Sequence, residues 1–177
     1  SSLVQDIIEL SKLEEKSGEL PLETVDLYEL LQDICRNLTL PASKKNISIQ
    51  TEGSSVKIRG VRHVLYEMFY NLVDNAVKYN REGGWVKVSL KDRENGAEFT
   101  VEDNGIGIAR EEQDRIFERF YRVDKSHSRK TGGTGLGLSI VKHGAALHHA
   151  GISLESCLGE GTKIQIFFRN PEVSEKK

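Results

Sequence analysis

The chain has 177 residues, 37% of them hydrophobic and only three of them prolines, enough for one compact core with a short appendage but not for a second full domain. A formal net charge of −2 and a pI near 6.2 exclude a general nucleic-acid binder, so any anionic ligand has to be held by a local site. Cys35 and Cys157 are the only cysteines and lie far apart, which excludes a disulfide framework or a CxxC metal pair and fits a reducing, cytoplasmic compartment. No apolar run reaches the roughly 20 residues that span a bilayer, and the polar start does not read as a signal peptide. A soluble domain is expected, with any membrane anchorage supplied by parts of a longer parent.

Along the chain, Leu3, Ile7, Leu10 and Leu13 sit at helical spacing within residues 2–16, and the Ser17-Gly18 pair ends that run. A lone amphipathic helix of this kind needs a partner for its apolar stripe. A short strand over 22–25 precedes a helix with Asp26 as N-cap and Glu29 as its capping-box partner, and Pro41 marks the predicted end. Short strands are expected over 46–51 and 56–59, then a long helix over 60–79 packing through Leu65, Met68, Phe69, Leu72, Val73 and Ala76. After the turn at 81–84, WVKVSLKD and AEFTVED alternate as strands joined by the Asn95–Gly96 hairpin signal. Residues 104–137 are rich in glycine and charge, with one helical piece expected over 111–118; a loop this long is usually functional. A helix over 137–149 and strands over 151–157 and 162–168 complete an α/β layout before a charged tail.

Chemistry concentrates in three places. Asn71, Asn75 and Tyr79 recur every four residues on one helix face, with Lys78 beside them and Glu67 extending the stripe backwards. Asparagine competes for backbone hydrogen bonds and is a weak helix former, so a pair of them inside an apolar helix needs a reason. A solvated face is one reading. The other is ligand binding: amide oxygens suit Mg²⁺, a lysine neutralises phosphate and a tyrosine offers a flat surface to a base.

The second place is DNGIGI at 103–108, where Asp103 ends a strand and Gly105 and Gly107 let the backbone turn and approach a ligand. DNG is also an everyday turn sequence. A carboxylate here could accept the exocyclic amine of adenine, whereas guanine would present a carbonyl. The third is GGTGLGLSIV at 132–141, a glycine loop running into a helix and so baring N–H groups suited to phosphate. Gly133, Gly135 and Gly137 make GxGxG, which is neither the dinucleotide fingerprint nor a P-loop. Between these motifs, Phe117 and Phe120 are expected as anchors and Arg119, Arg122, Lys125, Arg129 and Lys130 as the basic face of a lid over about 110–135.

NLVDNAVKYN, DNGIGI, FERFYR and GGTGLGLSIV, in that order, resemble the N, G1, F and G2 boxes of the sensor histidine kinase ATP-binding domain, within the wider gyrase, chaperone and mismatch-repair ATPase superfamily. The resemblance runs from about residue 20 to 168. It implies a Bergerat-type two-layer α/β sandwich, a mixed five-stranded sheet under three main helices, plus the N-terminal helix. It implies ATP and Mg²⁺ as ligands, with Asn75 and beside it Asn71 at the metal, Asp103 at adenine with Tyr79 on the adenine side, and Lys78 and Arg122 at the phosphates. Gly105, Gly107 and Ile108, then Gly133, Thr134, Gly135, Leu136 and Gly137, would line the nucleotide.

Residues 1–18 resemble the end of the second dimerisation helix and a linker, through LSKLE; 19–170 would be the catalytic domain and 171–177 a tail. Members that hydrolyse ATP place a glutamate four residues before the metal-binding asparagine, where this chain has Asn71, and a neutral amide is no general base. Slow hydrolysis and transfer to a histidine are therefore expected, with Asn71, Lys78 and Arg122 as the residues nearest that step and Glu67 as a remoter base.

His63, His127, His143, His148 and His149 lack the context of a phosphoacceptor, so the acceptor would come from a dimerisation domain, in a homodimeric parent that signals to a response regulator. The family's His-Gly-Gly turn reads His148-His149-Ala150-Gly151 here, moving the expected left-handed residue to Gly151. Anti-sigma-factor-type serine kinases share the fold and site, and a nucleotide-binding module without transfer activity would keep the same glycines; FERFYR and LSKLE favour the histidine kinase.

Overall fold

The computed structural model describes residues 3–15, 20–118, 121 and 137–169. Helix α1 (Leu3–Glu15) is followed by β1 (Glu23–Asp26), α2 (Leu27–Asn37), α3 (Thr39–Lys44), β2 (Ser48–Gly53), β3 (Lys57–Gly60) and α4 (Arg62–Lys78). The hairpin β4 (Trp85–Arg93) and β5 (Gly96–Asp103), a 3-10 turn at Arg110–Glu112, α5 (Gly137–Leu147), β6 (Gly151–Cys157) and β7 (Gly161–Arg169) complete the order.

The main sheet runs β2-β4-β5-β7-β6, with β2 parallel to β4 and every other pair antiparallel. A parallel pair cannot be joined by a tight turn; the crossover here carries β3 and α4, which lays α4 across the sheet. The mixed five-stranded sheet and the helical layer of α2, α4 and α5 are as expected. β1 and β3 form a separate antiparallel pair beside it. At the centre Phe69 of α4 stacks on Phe99 of β5 at 3.8 Å between ring centroids and meets Phe168 of β7 edge-on at 5.9 Å. All three rings are fully buried, each contributing about 1.5–3 kcal/mol.

Three expectations need correction. Pro41 does not end the helix that Asp26 starts: α2 stops at Asn37, and Pro41 lies in the first turn of α3, where its missing N–H would have had no helical partner. Fully buried Leu38 serves as the joint between the two helices. The piece over 111–118 is not an α-helix but the 3-10 turn at Arg110–Glu112 followed by turns, held by hydrogen bonds such as Glu112 N–H to the Ala109 carbonyl.

The left-handed residue after α5 is His149, at φ 53°, and not Gly151. α5 ends at Leu147, so His149 falls at the position where the chain reverses; its N–H donates to Ala146 O and that of Ala150 to Ala145 O, a Schellman closure. The N-cap is as expected, with Asp26 accepting from the N–H groups of Tyr28 and Glu29 and also from Ser55 Oγ. α1 packs on α5 with Asp6 buried, while Leu3 and Ile7 of the expected stripe stay exposed beside Val4 and Ile8.

Candidate nucleotide site

The polar stripe of α4 faces α5 and the loop after β5. Asn71 is 6% exposed, and its Nδ2 donates to the Glu67 carbonyl at 2.7 Å. That commits the amide nitrogen and leaves Oδ1 pointing at the start of α5. A Cβ on Gly137 would sit 2.8 Å from Asn71 Oδ1, so glycine lets the two helices close at this point. Asn75, one turn on, is half-buried; its carbonyl accepts the Tyr79 N–H, while its side-chain amide makes no hydrogen bond with the described residues, so that the amide oxygen can serve a hard cation. Lys78 is not free: its Nζ pairs with Asp74 Oδ2 at 2.9 Å.

Tyr79 caps α4, and its carbonyl accepts the N–H of Ile106 at 3.1 Å. This bond joins the polar helix directly to the glycine loop. In that loop Asp103 Oδ1 accepts the Gly105 N–H at 2.8 Å, the N–H of Thr162 also reaches the carboxylate, and Gly107 takes φ +70°. Burial, with a smaller push from Glu102, outweighs the two N–H donors, which act downwards, and leaves the Asp103 carboxyl pushed up to about 6. Below that value the group is protonated, and above it the carboxylate can accept two donors from a ligand edge.

Several residues that sequence reasoning passed over hold this loop in shape. The Nζ of Lys45 donates to the carbonyls of Val77, Lys78 and Asn80 at 2.9–3.1 Å, using all three of its protons on the last turn of α4. Arg81 Nη2 bridges the carbonyls of Gly105 and Gly159, at 3.2 and 2.7 Å. Ser156 and Gln113 fasten Ile108, the Ser156 Oγ accepting its N–H and the Gln113 Nε2 donating to its carbonyl. In sequence these residues look like solvated polar surface, and no spacing distinguishes them.

Phe117 is half-buried and its carbonyl accepts from Ser139 Oγ on α5, but the better buried anchor is its neighbour Ile116. Arg119, Phe120, Arg122, Lys125, His127, Arg129, Lys130, Gly133, Thr134, Gly135 and Leu136 lie outside the described residues. The basic lid and most of the second glycine loop therefore stay expectations. His148 has its own structural role: its Nε2 accepts the Val61 N–H at 3.0 Å and its Nδ1 meets Gly144 O at 2.8 Å.

A family profile described as "Histidine kinase-, DNA gyrase B-, and HSP90-like ATPase" matches residues 60–172. The chain is 40% identical over 163 residues to the sensor-like histidine kinase SenX3 of Mycolicibacterium smegmatis, covering 92% of this chain and 42% of that protein. It is 38% identical to the sensor histidine kinase RppB of Synechocystis, covering 94% of this chain and 37% of that one. It thus spans about two fifths of the length of these curated relatives. Full-length ShkA, solved in complex with AMPPNP, superposes with a TM-score of 0.79 at 29% identity over 94% of this chain and 35% of that one.

Proposed function

This chain belongs to the histidine kinase-, DNA gyrase B- and HSP90-like ATPase family, as an ATP-binding domain of the sensor histidine kinase type, and from that membership we propose that it presents Mg-ATP to a histidine of a dimerisation domain and donates the γ-phosphate. The observation that supports this reading most directly is the Ile106 N–H to Tyr79 carbonyl bond, which ties the end of the α4 stripe to the loop that follows Asp103. Asp103 accepts the adenine amine, Tyr79 flanks the base and Ile108 lies in the same loop. Asn75, whose amide has no partner among the described residues, is the residue suited to hold Mg²⁺, with Asn71 one turn before it. The metal, when bound, would offset phosphate charge during transfer. Lys78 and Arg122 are the residues suited to the phosphates, with Gly133, Thr134, Gly135, Leu136 and Gly137 as the stretch whose N–H groups would receive them. ShkA, with its bound ATP analogue, supports this use of the fold.

Asn71 stands where a water-activating glutamate would, so the domain holds ATP and hydrolyses it slowly. The exposed Leu3, Val4, Ile7 and Ile8 of α1 continue into a dimerisation helix of the parent, whose phosphorylated histidine serves a response regulator. Residues 1–18 belong to that helix and its linker, 19–170 to the catalytic domain and 171–177 to a tail.

Incubation with radiolabelled ATP and a phosphoacceptor domain tests this: acid-labile label appears on the acceptor histidine, and Asn75→Ala abolishes it. Asp103→Ala weakens ATP binding by one to two decades, matching a charge-assisted hydrogen bond of about 1.5–3 kcal/mol. Equal affinity for GTP and ATP, or rapid phosphate release without an acceptor, refutes the reading.

A further inference from the structure

The lysine proposed for the phosphates already has a partner. Asp74 and Lys78 lie one turn apart with the acid N-terminal, the order that suits a helix, and their side chains are 14% and 29% exposed. Among the described residues neither side chain has another ion-pair partner, and Lys78 is the last residue of α4. The charge of Asp74 is also felt back along the helix, where, after burial, it helps push the Tyr70 hydroxyl up. Of the polar groups on this face, the Asn71 nitrogen is committed to Glu67 O and Lys78 to Asp74, while the Asn75 amide has no partner among the described residues.

We propose that Asp74 is the resident counter-ion of Lys78, competing with the nucleotide phosphates for its ammonium and so setting how tightly the polyphosphate is held. The inference rests on the nucleotide reading of the site. Phosphate reaching Lys78 has to share the ammonium with Asp74 or displace it, and either way the Asp74 carboxylate loses part of its pairing beside a polyanion. What the ligand gains at Lys78 is therefore less than a free ammonium would give it. The effect is confined to the phosphates, since Asp74 has no described contact with the Asp103 loop. Asp74 thereby favours release of the spent nucleoside diphosphate.

Calorimetry with ADP and with adenosine, on wild type, D74N, K78M and the D74N/K78M double variant, tests the proposal. D74N should tighten ADP binding on the order of threefold, the scale of a partly exposed ion pair. Adenosine should bind wild type and D74N alike, which also reports an intact site. In the K78M background D74N should gain nothing. An unchanged or weaker ADP affinity in D74N overturns the proposal, as does equal tightening with and without Lys78, which would mean simple repulsion by Asp74. If wild type binds neither ADP nor adenosine, the nucleotide reading itself fails.

Discussion

The two ends of α4 are both closed by side chains from distant parts of the chain, yet by opposite chemistry. At the start Val61 offers no side-chain cap, and its N–H is accepted by the neutral ring of His148, 87 residues away. At the finish the ammonium of Lys45 is the donor to the Lys78 and Asn80 carbonyls and a second donor to that of Val77, which also accepts the Asn80 N–H. The first end carries no proposed ligand contact; the second bears Lys78 and Tyr79 and touches the Asp103 loop. One helix is thus anchored for packing at one end and for the site at the other. A helix of this length separates them by about 25 Å, so the two anchors can be tested independently.

Lys45→Met should have the largest effect. It leaves the Lys78 and Asn80 carbonyls unpaired and takes one of two donors from Val77, and a stability loss of about 2–3 kcal/mol is expected in denaturant melts, discounted for partial solvent access. ATP affinity should fall as well, because the turn that presents Lys78 and Tyr79 loses its fastening. A Lys45→Met protein with wild-type nucleotide affinity would break the assignment of that end to the site.

His148→Leu should cost about 1–2 kcal/mol by orphaning the Val61 N–H, with ATP affinity within experimental error of wild type. A loss of affinity as large as that in Lys45→Met would erase the distinction between the ends. Acidity provides a finer test of the same anchor. Burial, and after it the neighbouring His149, hold His148 below its usual 6.5, while the Gly144 carbonyl acts in the opposite direction. The unfolded chain therefore takes up this proton first, and the stability due to neutral His148 is present above pH 6.5 and lost as pH falls through the lower folded value. The gap between wild type and His148→Leu should narrow in melts below pH 6.5, and a constant gap would show that the ring is held by packing alone.

Asp103→Asn should have the smallest effect on stability and the opposite sign. The folded value of about 6 lies above the ordinary 3.8, so the favourable contribution of this carboxyl is present below 3.8 and lost as pH rises through about 6. At pH 7 the asparagine variant should melt slightly higher than wild type while binding ATP less well. ATP affinity of the wild type should drop as pH falls through about 6, with a flatter profile in the variant. A variant that melts lower at pH 7 would mean that the Gly105 and Thr162 donors outweigh burial at this site.

Much of this was legible in the linear sequence because it rests on short-range physics. The period of the apolar residues located α4, α5 and the β4–β5 hairpin to within a few residues, the Asp26 cap is a local hydrogen bond, and the four-residue spacing put Asn71 and Asn75 on one face whatever the rest of the chain did. The order of the glycine motifs carried the family resemblance. Where local rules met competing local rules they failed: Pro41 is tolerated in a first helical turn as well as after a last one, and the charged residues over 111–118 had too few apolar neighbours to sustain an α-helix.

What only the tertiary structure decided is which groups are spoken for. That Lys45 closes α4, that His148 is an acceptor for Val61, that Arg81 bridges two loops, and that His149 takes the left-handed turn all depend on atoms 24 to 87 residues apart or on where a helix stops against its neighbours. The raised Asp103 carboxyl is likewise a product of burial, which exists only once β5 and β7 are paired and the loop is folded over them. Residue types and spacing determine what chemistry a side chain can offer; desolvation and competing partners, fixed by the folded chain, determine whether that chemistry is available to a ligand.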